Sequence, residues 1–156
     1  MATHGRHDNA GRDSRQHPPR GSNAPDTEFL SLLQRINLRE PDADAFDVCA
    51  ERIAKKLSET AQKDTNKSSQ LRRFYNEVIR HYDACRGVDV DAVFSQRLPF
   101  IRMLSAQAKY AENRKKVDSN FTAFMQTNLR KIENARDLHN FRTLFEAVIG
   151  FMPKSE

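Results

Sequence analysis

Residues 66–82 read NKSSQLRRFYNEVIRHY, and their rhythm decides the fold class. At about 100° per residue, Leu71, Phe74, Tyr75, Val78, Ile79 and Tyr82 gather on one side of a helix, with Arg73, Asn76 and Arg80 across from them. One face belongs to a core and the other is left to solvent. The aromatic residues are therefore expected to be packing groups and not platforms for bases. At the front, Thr65, Asn66, Ser68 and Ser69 offer capping groups beside Lys67. An open helix N-terminus presents N–H groups and partial positive charge, which suit a phosphate; capping alone also explains the serines.

The rest of the chain reads the same way. Asp26 is placed to cap TEFLSLLQRINL, whose Phe29, Leu30, Leu32, Leu33 and Ile36 make a broad apolar face. New start signals come at Pro41 and Asp42, followed by Phe46, Cys49, Ala50, Ile53 and Leu57 at steps of three and four. Beyond Tyr82, Gly87 can stop a helix, Asp89 can cap a short one, and Pro99 sits near the first turn of LPFIRMLSAQAKYAENRKK. Asp118 or Ser119 can cap NFTAFMQTNLRKIENA, and Asp137 can cap LHNFRTLFEAVIGFM. The expected fold is all-α, a compact bundle of five to six helices. It forms a single helical domain over residues 26–156, behind a disordered basic Gly/Pro/Arg/His-rich tail at 1–25.

Charge is unevenly placed. Residues 67–116 hold eleven Lys or Arg against five Asp or Glu, a concentration that attracts a polyanion. On a wheel of residues 98–116, Ile101, Leu104, Ala108, Ala111 and Phe100 lie together, and Arg102, Lys109 and Lys116 run opposite with a seven-residue period. At 1.5 Å per residue the members stand roughly 10.5 Å apart, a spacing that can track a sugar–phosphate backbone. Arg114 and Lys115 extend the charge at the helix end. The plainer reading of the stripe is a solvated basic face.

The same sequence excludes much else. It has no HExxH, no GxxxxGK, no GxSxG and no DxDxDG, so no catalytic constellation is expected. Cys49 and Cys85 read as buried thiols without a disulfide or zinc motif, and His4, His7 and His17 lack ligand spacing. His81 and His139 read as partly exposed structural histidines. Neither cofactor nor metal is expected. With no apolar run long enough for a membrane helix and no signal-peptide h-region, the expected location is cytoplasmic.

Three segments in order carry a family resemblance: SSQLRRFYNEV, LPFIRMLSAQAKYAENR and LHNFRTLFEAVIGF. Together they resemble the small helical subunit of type III-A CRISPR effector complexes, the Csm small subunit, over roughly residues 28–152. The resemblance implies a non-catalytic subunit of antiviral defence. It would stack in several copies beside backbone and large subunits and line the channel for crRNA and single-stranded target RNA. Carried onto this chain, the first motif nominates Lys67, Ser69, Arg72 and Arg73, and the second Arg102, Lys109 and Arg114. Arg80, Lys115 and Lys116 join the RNA-binding candidates on charge and position. For subunit contacts, charge complementarity nominates Glu40, Asp42, Asp44, Asp47 and Glu51. The competing class is a helical protein–protein adaptor with no direct RNA contact. A helix-turn-helix DNA reader is the weaker third, because the 66–82 helix exposes few base-reading side chains and lacks a tight turn before it.

Overall fold

The computed structural model describes residues 24–61 and 64–154. They form six helices: α1 Thr27–Arg35, α2 Val48–Glu59, α3 Ser68–Ala84, α4 Val90–Asn113, α5 Ser119–Lys131 and α6 Ala135–Phe151. No strand occurs among the described residues, so the chain is the all-α bundle that its periodicity predicts. The tail expected at 1–25 lies, apart from Ala24 and Pro25, outside the described residues.

Helix α5 is the centre. Eight of its residues are buried, and it packs on α4 and α1, while α6 packs on α2 and α3. Phe121 and Phe124 of α5 interlock with Phe141 and Phe145 of α6, ring centroids 5.2 to 6.1 Å apart. Phe74 meets Phe121 edge-on at 5.2 Å, and Tyr75 lies 5.6 Å from Phe145. The α3 aromatics are core, as their spacing requires. Truncating one such buried ring to alanine costs about 3–5 kcal/mol.

Helix ends show where local signals compete. Asp26 caps α1 by accepting from the Glu28 N–H at 3.0 Å, and Asp118 caps α5 by accepting from Phe121 at 2.9 Å. At α6 the cap is Asn134 and not Asp137: Asn134 Oδ1 accepts from the Asp137 N–H at 2.8 Å, and Asp137 Oδ2 accepts from Glu133 at 2.9 Å. These two bonds start the helix a turn early, and Asp137 lies in the interior. Helix α2 starts later than Pro41 suggests. Asp42 Oδ1 accepts from the Asp44 N–H at 3.0 Å, and the chain turns through residues 43–47 before Val48. Pro99 does not begin a helix; it lies inside α4, on an exposed position where the acceptor it leaves unpaired can face water. Two further corrections concern burial. His81 is 3% exposed and not partly exposed, and Cys49 is half-buried where Cys85 is buried.

One residue ties the α2–α3 and α4–α5 connections together. Asn66 is buried with φ 57°, a left-handed conformation that asparagine tolerates better than most side chains. Its Nδ2 donates to the Leu57 carbonyl at 3.1 Å, its Oδ1 accepts from the Asp118 N–H at 3.0 Å, and its own N–H donates to the Lys116 carbonyl at 3.0 Å. Thr65 Oγ1 adds a bond to the Lys115 carbonyl at 3.2 Å. The end of α2, the start of α3 and the α4–α5 turn are thereby fixed against one another. Asn66→Ala is expected to cost about 2–4 kcal/mol, because it orphans buried partners and strains the left-handed backbone. Asn66→Gly, which relieves only the strain, recovers about 1 kcal/mol of that. Denaturant unfolding checks both, and an unchanged midpoint in the alanine variant contradicts the clamp.

Candidate nucleic-acid interface

All ten basic or hydroxyl candidates are exposed, but they do not form the stripe that the wheel suggests. Helix α4 ends at Asn113, and Lys115 takes φ 59°, so Lys116 lies beyond the helix and off its surface pattern. Arg102 turns the other way and donates to the Ile132 carbonyl at the end of α5, 3.2 Å. Lys109 holds Glu112 at 2.9 Å. The seven-residue period thus scatters in three directions.

The structure gathers a different set. Arg73 from α3, Arg114 from the end of α4 and Lys116 from the following turn line one groove of about 830 Å³ between α3 and α4. Its floor is apolar, with Phe74, Met103 and Tyr110 among the lining residues. A smaller hollow continues along the same helices past Arg80, Arg97 and Phe100. The one carboxylate on this stretch, Glu77, lines both hollows and holds Arg80 at 2.7 Å. Three cations converging on a concave, partly apolar surface raise the local concentration of a polyanion. Lys67, Ser69, Arg72 and Lys115 do not line the groove. Lys67 holds Asp64 at 2.8 Å.

The sequence reading also misses residues. Phe100, expected with the core residues of α4, is 58% exposed, and Met103 and Tyr110 are 49% and 62% exposed. With Gln107 they fall three, seven and ten residues apart from Phe100, on a face separate from Ile101, Leu104 and Ala108. That offset was present in the sequence as a second apolar row. Lys131, by contrast, is no surface cation. Its Nζ donates to the Leu33 and Ile36 carbonyls at the end of α1, 2.6 and 2.8 Å, and burial pulls its pKa down to about 8.

Glu40, Asp42, Asp44, Asp47 and Glu51 are all exposed around the start of α2. Helix α2 packs on α1, α5 and α6 and not on α3 or α4, so the acidic segment and the basic groove occupy different parts of the bundle. Among the described residues no cluster of His, Cys, Asp or Glu could hold a metal, and no helix is long and apolar enough to cross a membrane.

The helical bundle thus presents a cation-walled groove on one part of its surface and an acidic patch on another. The family model for Csm2 Type III-A matches residues 40–152, α2 through α6, and the chain belongs to that family, the small subunits of type III-A CRISPR complexes. No curated protein and no solved structure matches the chain.

In the second hollow, Arg97 Nη1 donates to His81 Nδ1 at 3.1 Å, which fits a neutral imidazole. Burial, with Arg80 and Arg97 nearby, holds the pKa of His81 below its ordinary 6.5. As pH falls through 6.5 the unfolded chain takes up a proton here that the folded chain does not, so this residue lowers stability on the acid side. Unfolding free energies between about pH 7.5 and 5.5 should therefore fall less steeply in His81→Gln than in the wild type. Equal slopes refute this account.

Proposed function

We propose that this chain is a non-catalytic subunit that grips the sugar–phosphate backbone of crRNA and single-stranded target RNA in the α3/α4 groove. It stacks in several copies within a cytoplasmic Csm complex serving antiviral defence. The observation that carries the reading is the meeting of Arg73, Arg114 and Lys116 on one groove from three separate positions in the chain. Phosphate contacts position a strand without reading it, which suits a subunit repeated along any guide–target pair. Arg80, Arg102, Lys109, Lys67 and Ser69 then serve as outlying contacts. The acidic segment from Glu40 to Glu51 meets a basic surface on the next copy or on a backbone subunit.

The exposed Phe100, Met103 and Tyr110 favour one competing reading, a protein–protein adaptor whose groove holds a partner segment. Salt separates the two. In fluorescence anisotropy, a single-stranded RNA and its scrambled version should bind alike, with a log–log salt slope of about −0.7 per phosphate contacted. Arg73→Glu/Arg114→Glu/Lys116→Glu should lose that binding while remaining folded. Salt-insensitive or absent binding by the wild type would favour the adaptor. Charge reversal at Glu40, Asp47 and Glu51 should leave RNA affinity intact and weaken assembly with the other subunits, and unimpaired assembly removes the acidic-interface assignment.

A further inference from the structure

We infer that Tyr110, backed by Arg114, is a stacking site for an unpaired nucleobase of the bound RNA; the inference rests on the RNA-binding reading above. Tyr110 is 62% exposed, an unusual position for a large aromatic side chain on a helix whose apolar row is already filled by Ile101, Leu104 and Ala108. The ring is not loose. The Arg114 guanidinium lies over it, 5.5 Å from the centroid, and Arg114 Nη1 donates to Tyr110 Oη at 2.9 Å. This pairing holds the phenol in one orientation, so less side-chain freedom is lost when a ligand arrives.

The surroundings select the kind of ligand. Alongside Tyr110 the groove carries the apolar surfaces of Met103 and Phe74. Gln70, Asn76 and Gln107 line it too, and their amides can both donate and accept. A base has an apolar π face and an edge of mixed donors and acceptors, and it is joined to a phosphate. The groove matches these in turn: a ring and a thioether for the face, amides for the edge, and Arg73 and Lys116 for the phosphates. Single-strand binders combine a cationic track with aromatic platforms in this way, and every base has a face to stack. A peptide would need to be both apolar and acidic to satisfy the same walls, since three cations oppose one carboxylate that Arg80 already holds.

The test uses the full chain with two synthetic single strands of equal length, one an ordinary RNA and one with abasic ribose phosphates. The wild type should bind the base-bearing strand roughly tenfold more tightly, within the range a stacked base supplies. Tyr110→Leu should reduce that affinity to the abasic level without changing the salt slope, and Tyr110→Phe should retain the preference. The protein has no tryptophan, so Tyr110→Trp gives a single reporter whose fluorescence the base-bearing strand alone should quench. Equal, salt-sensitive binding of both strands overturns the stacking site and leaves the RNA reading standing. Absence of salt-sensitive binding to either strand overturns the RNA reading, and the stacking site with it. Quenching in Tyr110→Trp that follows protein concentration without RNA assigns the groove to a second copy and also overturns the proposal.

Discussion

Much of this structure depends on how one buried asparagine is bonded. Asn66 reaches two separate segments, α2 through Leu57 and the α4–α5 turn through Lys116 and Asp118, from a backbone conformation that few residues hold without strain. Its bonds fix the entry of α3 against the exit of α4. Without that constraint the turn at residues 114–118 could settle elsewhere, and Lys116 would have no reason to stand with Arg73. The aromatic cluster of α5 and α6 is fully buried, but hydrophobic burial is non-directional. Directional bonds at Asn66 decide which surface charges become neighbours.

Those neighbours differ in what they are free to do. Exposed pairs such as Arg80–Glu77 and Lys67–Asp64 are screened by water, so a phosphate can replace the carboxylate at little cost. Lys131 is different: it is half-buried and bonded to two carbonyls at the end of α1, and moving it would leave those acceptors unpaired. Arg102 lies between these cases, exposed but donating to the Ile132 carbonyl. Counting basic residues therefore overstates the available charge. What matters is which cations share a concave surface.

The sequence made the fold class legible because helical periodicity is a local signal, and six segments repeat it without contradiction. The cap at Asp26 and the core role of Phe74 could be read directly. Pro99 misled, since a proline usually marks a boundary, yet on an exposed face a long helix can run through it. Asp137 misled in another way: Asn134, three residues earlier, caps the helix by accepting from the Asp137 N–H. The family was legible from three ordered motifs, and the match over residues 40–152 places the chain in it. The groove was harder to see. Arg73 and Lys116 are separated by most of two helices, and the wheel that grouped Lys116 with Arg102 assumed a helix that ends at Asn113. The row of Phe100, Met103 and Tyr110 was readable in principle, but Phe100 sits close enough to the core row in angle to be absorbed into it.

The central claim is that RNA occupies the α3/α4 groove and not simply a solvated basic face. Amine labelling of the folded chain, with and without saturating single-stranded RNA and read residue by residue by mass spectrometry, tests it most directly. The account predicts strong protection of Lys116, with Lys55 of α2 and Lys154 beyond α6 labelling at unchanged rates. Protection spread evenly over all three lysines, or Lys116 labelling as fast with RNA bound as without, would contradict it.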